Sequence, residues 1–328
     1  MESPALLPKS VRVKTLYSAI SPGTELNLIS IDTISNPFPL GYSAVGIVEE
    51  VGEQVSNIQP GDLVACYGGP YVFHGEVLSV PETLCAKLPE GISPKEAAFV
   101  GMGAVAIHGI RKADLQFGES VLILGLGILG QISYQVSVQA SYQVIGTDLR
   151  TERCELARES SREPNGYVVD LKGDGEEKLT KMIEQLTGGE GVDAVIITAH
   201  SLQKSLVNDA LKWLRFRGKI VIVGNVKIEF DREPFFQKEA DLLIARAAGP
   251  GRYDVNYERN AVDYPFGYIR WTEGRNMREY VRLLHERKIS LSHLITNEYP
   301  FDRAPEVYPL IKSNPNALGV LFQYTSGS

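Results

Sequence analysis

The chain is poor in the residues that bind metals or cross-link secreted proteins. Its 328 residues include three cysteines and five histidines. Cys66, Cys85 and Cys154 are isolated, with no C-x-x-C pair and no Cys/His cluster. An odd number of scattered cysteines argues against a disulfide framework and a zinc lobe, and suits a reducing compartment. We therefore interpret all three as small buried apolar residues.

Long apolar runs and basic blocks are also missing. No run approaches the roughly 20 apolar residues that cross a bilayer, and the start MESPALLPKS lacks the pattern of a signal peptide. The net charge is −7, and no Lys/Arg block offers an electrostatic footprint for nucleic acid. We expect a cytoplasmic protein with no membrane partner and no nucleic-acid partner.

The apolar patterning predicts two domains of different class. From Val11 to about Lys87, short strand-like segments close on Gly or Pro, which indicates a β-rich unit. From about 120 to 246, Val/Ile/Leu strands alternate with helical stretches, as in a doubly wound parallel sheet. Beyond Pro250 the alternation stops in a segment dense in Gly, Pro, Tyr and Arg, which we expect to return to the first unit.

The stretch VLILGLGILGQ carries the clearest chemical motif. Gly125, Gly127 and Gly130 follow a strand and open a helix as G-x-G-x-x-G, which suits a dinucleotide pyrophosphate at a helix N-terminus. Eighteen residues after Gly130, the strand YQVIGTD ends in Asp148. A carboxylate there binds ribose hydroxyls and repels a 2′-phosphate, so NAD is favoured, while Arg150 and Arg153 leave NADP open.

The predicted cofactor-binding residues lie in and after this motif and at the ends of two later strands. They are Gly125, Gly127, Ile128, Leu129, Gly130, Asp148, Leu149, Arg153, Ala199, Val223 and Gly224.

Seven segments in order carry a resemblance to a known family: AISPGTE, PLGYSAVGIVEEVG, QPGDLV, GLGILG, TGGEGVDAVI, LRFRGKIVIVG and PFDRAPEVYPLI. On these the chain resembles the medium-chain dehydrogenase/reductase superfamily, which includes zinc alcohol and polyol dehydrogenases. The resemblance implies an α/β protein with a GroES-like β-rich catalytic domain in residues 1–115 and a Rossmann doubly wound parallel-sheet domain in 116–250. It implies that residues 251–328 complete the catalytic domain, and that the protein is a homodimer. Family members have about one more β-hairpin before the segment that matches VRVKTLYSAI. By that resemblance we expect part of the first sheet to lack a pairing strand.

The chain departs from the zinc members of the family at their metal ligands. By that resemblance a zinc member has Cys at Pro22, a His-Glu pair at Tyr42-Ser43, and Cys or an acid at Met102. Proline and a thioether are not plausible zinc ligands here, and a phenol is a poor one at neutral pH. The four-cysteine structural lobe is missing as well, so we expect no bound zinc.

Without a Lewis acid, side chains or water must supply the proton donor and acceptor. We expect the candidate catalytic residues to be Thr24, Tyr42 and Ser43. Thr24 matches the hydroxyl that zinc members use in a proton relay, and Tyr42 stands at the vacated ligand position. Each has a structural alternative: Thr24 as a cap of the turn after Pro22-Gly23, Tyr42 as an aromatic filler, and Ser43 as a turn hydroxyl.

The substrate is expected to contact Tyr42, Met102, Arg252, Tyr253 and Tyr257. Arg252 offers a fixed fork of donors to a polyhydroxylated or anionic group, and the alternative is a surface loop packed by aromatics. Glu25 is expected to pair with an arginine, His108 to be a core residue, and His74 has no assigned role.

The leading hypothesis is a zinc-independent, NAD(H)-dependent oxidoreductase that interconverts a secondary alcohol and a ketone. Its small-molecule substrate is expected to be sugar-like, cyclitol-like or a secondary metabolite. Two alternatives stay open. One is an enoyl- or quinone-type C=C reductase, and the other is a dinucleotide-binding protein without catalysis.

Overall fold

A computed structural model of the protein describes residues 6–30, 39–160, 163–200, 205–314 and 316–324. The first half of MESPALLPKS lies outside this range. Within it, the strands are β1 (Ser10–Ile20), β2 (Ser43–Val51), β3 (Leu63–Tyr67), β4 (Val77–Pro81), β5 (Cys85–Lys87), β6 (Ser120–Leu124), β7 (Gln143–Asp148), β8 (Gly166–Asp170), β9 (Val192–Ile197), β10 (Leu214–Ile222), β11 (Asp241–Ile244), β12 (Ile295–Pro300) and β13 (Gly319–Gln323).

The helices of the same residues are α1 (Pro22–Ile29), α2 (Pro94–Ala97), α3 (Val100–Ala113), α4 (Ile128–Gln139), α5 (Thr151–Ser160), α6 (Gly175–Thr187), α7 (Leu206–Trp213), α8 (Arg232–Lys238), α9 (Val255–Glu258), α10 (Glu273–His285) and α11 (Ala304–Ser313). None of these helices has both the length and the apolar character that a membrane span requires.

The chain packs into two compact units. The first comprises Met1–Ala104 with Ala248–Ser328, and the second comprises Val105–Ala247. The first unit is therefore built from both ends of the chain.

The first unit contains a mostly antiparallel sheet. Its described strands run in the order β12-β13-β1-β2-β3-β5, and β4 also pairs with β1. Strand β1 is central because it pairs antiparallel with β2, β4 and β13. Its inward-facing Val11 and Val13 join a core that also includes Leu78, Val80 and Tyr257. This is the GroES-like β-rich arrangement that the sequence predicts.

The second unit contains a six-stranded parallel sheet in the order β11-β10-β9-β6-β7-β8. Strand β6 is buried along its whole length. Its alternate residues enter different cores: Val121 and Ile123 lie in one apolar cluster, and Leu122 and Leu124 lie in the other. A strand covered on both faces needs a continuous apolar run, and this explains the run SVLIL. The predicted α/β fold with a doubly wound Rossmann sheet is confirmed.

Candidate functional site

The glycine motif of the second unit forms a tight connection between β6 and α4. Gly125 has φ +99°, and a Cβ there would lie 2.8 Å from the backbone nitrogen of Ala199. A Cβ on Gly130 would lie 1.8 Å from the carbonyl oxygen of Gly125. Only glycine permits this backbone path, and the first turn of α4 can therefore pack directly on the loop.

Gly127 has a different environment, because it faces open space. It is the N-cap residue of α4, and a Cβ there would meet only the Nη1 atom of Arg153, at 3.8 Å. The backbone amides of a helix N-terminus attract anions. This side of the loop is therefore open to a phosphate, with a guanidinium beside it.

Asp148, the last residue of β7, organises the same loop. Its Oδ2 accepts a hydrogen bond from the Leu126 amide at 2.7 Å, and its Oδ1 accepts one from the Arg150 amide at 2.9 Å. Arg153 Nη1 lies 3.4 Å from Oδ2. A carboxylate has about four lone-pair sites, so acceptor capacity remains for ribose hydroxyls. Leu149, beside it, is 69% exposed.

The remaining predicted cofactor residues also lie at the carboxyl edge of the parallel sheet. The amides of Val223 and Gly224, after β10, donate to the carbonyl of Ile197 at 3.0 and 2.9 Å. The Ala199 amide, after β9, donates to the carbonyl of Leu124 at 3.1 Å. Ligands of doubly wound sheets bind at this edge.

In the first unit, three hydroxyl-bearing side chains lie together where β1 ends. We call Ser21, Thr24 and Tyr42 the hydroxyl cluster. Ser21 Oγ donates to Thr24 Oγ1 at 3.3 Å, and both hydroxyls are side-chain hydrogen-bond neighbours of the Tyr42 phenol. The sequence places Pro22 and Gly23 in a turn, but they begin α1, for which Ser21 is the N-cap residue. Proline at the first helical position favours such a start.

Burial, helped by the nearby charge of Glu25, raises the pKa of Tyr42 to about 12 against the lowering effect of the Ser21 and Thr24 hydroxyls. The phenol is therefore neutral at physiological pH. It can donate a hydrogen bond to a substrate oxygen, but it is a poor base.

A buried network lies behind the hydroxyl cluster. We call Glu25, His74, Ser18, Tyr308 and Tyr324 the Glu25 network. Glu25 Oε2 lies 2.9 Å from His74 Nε2 and accepts from the Tyr308 hydroxyl at 2.6 Å. His74 Nδ1 lies 2.7 Å from Ser18 Oγ, which lies 2.8 Å from the Tyr324 hydroxyl. Glu25 pairs with His74, and the expected arginine partner is a wrong prediction.

Ser43 does not belong to either group. Its hydroxyl is 1% exposed, donates to the Ala98 carbonyl at 2.6 Å and accepts from the Gly101 amide at 2.8 Å. Its only proton is committed to the backbone, and this observation speaks against the predicted catalytic role of Ser43. Met102 is 2% exposed, which also speaks against contact with a substrate.

The predicted substrate residues after Pro250 have separate environments. Tyr257 is 1% exposed and its hydroxyl donates to Thr272 Oγ1 at 3.0 Å, so it lies in the core, which speaks against the predicted contact with a substrate. The Arg252 guanidinium pairs with Glu258 and donates to the Gly69 carbonyl at 2.7 Å. Its donors are thus largely used within the unit. The Tyr253 ring is 57% exposed and stacks on that guanidinium.

The side chains at the family's metal positions do not fit zinc. Pro22 offers no donor, Tyr42 is a neutral phenol, and the Ser43 hydroxyl is bound to the backbone. The Nε2 atom of His74 faces a carboxylate, which can only accept, so it carries a proton and has no lone pair for a metal. Across the part of the chain that the structure describes, no three His, Cys, Asp or Glu side chains are grouped to hold a metal ion.

Two family models match the chain. One, described as an alcohol dehydrogenase GroES-like domain, matches residues 7–114. The other, described as a zinc-binding dehydrogenase, matches residues 129–257. The match to the first model lies in the β-rich part of the chain, and most of the second lies in the parallel-sheet unit.

Individual relatives cover most of the chain. A D-guloside 3-dehydrogenase of Escherichia coli (strain K12) is 31% identical over 83% of this chain and 73% of the relative. A sorbitol dehydrogenase of Halalkalibacterium halodurans is 23% identical over 92% of this chain and 88% of the relative. The solved structure of alcohol dehydrogenase TADH from Thermus sp. ATN1 superposes with a TM-score of 0.78 at 22% identity, covering 99% of this chain and 95% of that one. This chain is therefore an oxidoreductase that belongs to the zinc-type alcohol dehydrogenase-like part of the medium-chain dehydrogenase/reductase superfamily.

Proposed function

We propose that the protein is an NAD(H)-dependent dehydrogenase that interconverts a secondary alcohol and a ketone without a catalytic zinc. The observation that carries the proposal is the hydroxyl cluster, because it places a neutral phenol and an exposed hydroxyl side by side. The names of the relatives support a polyhydroxylated substrate, since one is a D-guloside 3-dehydrogenase and another a sorbitol dehydrogenase. We propose a sugar-like or cyclitol-like substrate on that basis.

The dinucleotide would be held at the carboxyl edge of the parallel sheet. The open side of Gly127 and the N-terminus of α4 suit the pyrophosphate, and the remaining acceptor capacity of Asp148 suits the ribose hydroxyls. Ala199, Val223 and Gly224 lie along the same edge. When bound, the nicotinamide supplies the hydride acceptor or donor.

The chain's own residues then handle the proton. Tyr42 donates a hydrogen bond to the substrate oxygen, where charge develops as a ketone is reduced. Thr24 is exposed to solvent and contacts Ser21, so it can exchange a proton with water and with its neighbours in the hydroxyl cluster. In the direction of alcohol oxidation the Tyr42 oxygen takes the alcohol proton as the phenol proton passes on through Ser21 and Thr24 to water, so each hydroxyl ends the step neutral.

The proposal is tested by assaying chelator-treated protein with NAD(H) and NADP(H). The substrates are cyclic polyols, glycosides with free ring hydroxyls, simple secondary alcohols, their ketones and a set of enones. We expect turnover of alcohols or ketones with NAD(H), with zinc well below one equivalent per chain by elemental analysis and no loss of rate after chelation.

Three results would contradict the proposal. If chelation removed the activity and one zinc per chain restored it, the protein would be a metal enzyme. Reduction of enones only, with NADPH, would assign a C=C reductase. Tight NADH binding without turnover of any compound would assign a dinucleotide-binding protein without catalysis.

A further inference from the structure

We propose that Glu25 is a positioning residue for the reaction: it holds the turn that carries the Ser21 and Thr24 hydroxyls beside Tyr42. His74 fixes Glu25 in place. The catalytic part of this inference rests on the proposed function, whereas the arrangement of Glu25 and His74 does not.

The first support is the contact between Glu25 and the start of α1. Glu25 Oε1 accepts from the Ser21 amide at 2.7 Å, and Ser21 is the N-cap residue of the helix. The carboxylate therefore spans the first helical turn, as an acidic side chain does in a capping box. Ser21 and Thr24 project from this same turn, so their hydroxyls are placed by the contact.

The second support is the number of donors that surround the carboxylate. Glu25 is 1% exposed, and it accepts from the Ser21 amide, the Tyr308 hydroxyl and His74 Nε2. Three donors around a group that is acceptor-only when ionised satisfy the charged form, and an added proton would face a donor. Burial raises the pKa of the Tyr308 phenol, and the Glu25 charge contributes, as expected beside an anion.

The third support is the direction of the hydrogen bonds through His74. Because the carboxylate only accepts, Nε2 carries a proton, and Nδ1 lies 2.7 Å from the Ser18 hydroxyl, from which it can accept when Nε2 holds the ring's only proton. The Tyr324 hydroxyl lies 2.8 Å from Ser18 Oγ and continues the chain of hydrogen bonds. The imidazole also packs against the residue before Tyr42: a Cβ on Gly41 would lie 2.8 Å from the His74 ring. The network thus reaches the Tyr42 segment from a second side.

The groups that face Glu25 are His74, Tyr308, Tyr42 and the Ser21 amide, and Tyr324 lies one step beyond His74. Among the described residues, His74 is the only recorded ion-pair partner of Glu25. A buried anion without a lysine or arginine disfavours a second negative charge nearby. Tyr42 is the candidate catalytic residue whose pKa the Glu25 charge raises.

The kinetic test uses Glu25→Gln, which keeps the shape of the side chain and removes its charge. We expect kcat for ketone reduction to fall on the order of tenfold with little change in NADH affinity. We also expect the high-pH limb of kcat to move to lower pH, because the phenol ionises more easily without the anion. That shift should vanish in a Tyr42→Phe background. Glu306→Gln, which removes an exposed carboxylate on α11, is the charge control and should behave as wild type.

A second arm does not depend on turnover. Nitrogen-15 NMR of the imidazoles, with His74 assigned by substitution, should show the Nε2-protonated tautomer in the wild type at mildly alkaline pH. In Glu25→Gln the amide can donate to Nε2, so we expect the tautomer to change. If Glu25→Gln does not fold, His74→Gln, whose amide can still donate to Glu25, should retain far more activity than His74→Ala.

An unchanged tautomer in Glu25→Gln, or a pH profile identical to that of Glu306→Gln, would overturn the inference. Equal losses of activity in His74→Gln and His74→Ala would also overturn the inference. An inactive wild type with the expected tautomer change would contradict the proposed function and leave the arrangement of Glu25 and His74 supported.

Discussion

In the proposed function, the hydroxyls of two single residues, Tyr42 and Thr24, supply the proton chemistry that a metal supports in zinc enzymes. Tyr42 is neutral because it is buried beside an anion, and Thr24 is exposed. Ser21, which links them, is not among the residues that the sequence singles out, although it stands next to Pro22 in the same motif. A serine before Pro-Gly is typical of a turn, so only the geometry brings Ser21 into the hydroxyl cluster.

We expect Tyr42→Phe and Thr24→Val each to lower kcat by about 100-fold, the loss typical of one hydrogen-bond donor to a developing negative charge. NADH affinity should stay within a factor of about two, because both residues lie in the first unit. Steady-state kinetics and a fluorescence titration of NADH measure the two quantities. Thr24→Ser, which keeps the hydroxyl, is the matched control, and undiminished rates in Tyr42→Phe would return the ring to a packing role.

Asp148 and Arg153 should set the choice between NAD(H) and NADP(H). Asp148→Ala removes the acceptor for the Leu126 amide and for ribose, so we expect NADH binding to weaken by tenfold or more and its advantage over NADPH to narrow. Arg153→Ala should weaken the binding of NADPH more than the binding of NADH, because a guanidinium pairs well with a 2′-phosphate. Calorimetric titration gives the four affinities. Arg158→Ala, on the same helix α5 but paired with Asp174, is the control.

At the scale of elements, the connection between β6 and α4 separates a structural glycine from a binding glycine. Gly130→Ala places a methyl group against the Gly125 carbonyl, so α4 must move away from β6. We expect it to destabilise the protein by about 1–3 kcal/mol, the range of overpacking changes. The methyl group of Gly127→Ala would meet only the Arg153 guanidinium, at 3.8 Å. We therefore expect the free energy of unfolding to stay close to that of the wild type.

The two variants should nevertheless both weaken dinucleotide binding. In Gly127→Ala the added methyl group occupies the open side of the loop that a pyrophosphate would approach. Thermal unfolding and an NADH titration of each variant separate stability from affinity. A Gly127→Ala protein with unchanged NADH affinity would contradict the placement of the pyrophosphate at this loop.

The elements that the sequence predicts best are those whose signal is local. The parallel sheet follows from short-range alternation of apolar strands and helices, and the glycine motif with Asp148 lies within one strand-helix-strand unit. The Glu25 network has no such signal. Ser18 meets His74 across 56 residues and Tyr324 across 306. A single sequence also does not show which hydroxyls already have partners within the fold, and those of Ser43 and Tyr257 do.

For the whole molecule, one buried carboxyl group should dominate the loss of stability at alkaline pH. Glu273, the first residue of α10, is fully buried, and neither carboxyl oxygen has a recorded hydrogen-bond partner among the described residues. Burial, helped by the charge of Glu258, raises the pKa of Glu273 to about 8 against the lowering effect of Arg252. The folded-state pKa lies above the unfolded value, so the folded protein retains the proton longer.

The sign of the pH effect follows from this retention. The stabilising contribution is complete below about pH 4.5 and is lost as the pH rises through about 8. Glu273→Gln should therefore flatten the decline of the melting temperature between pH 5 and 9. Its advantage over the wild type at the alkaline end should amount to a few kcal/mol. Scanning calorimetry measures the effect, and the exposed Glu177→Gln should follow the wild-type curve.

The pairing of β1 with β13 has a consequence for how the molecule is made. Tyr17 lies opposite Gln323, and the second unit is inserted between these partners in the chain. During synthesis all strands of the parallel sheet leave the ribosome before β13 exists, so the inserted unit can fold while the β-rich unit still exposes an open edge at its central strand. We therefore expect the nascent β-rich unit to be the part of this protein that is most open to wrong strand pairing during synthesis.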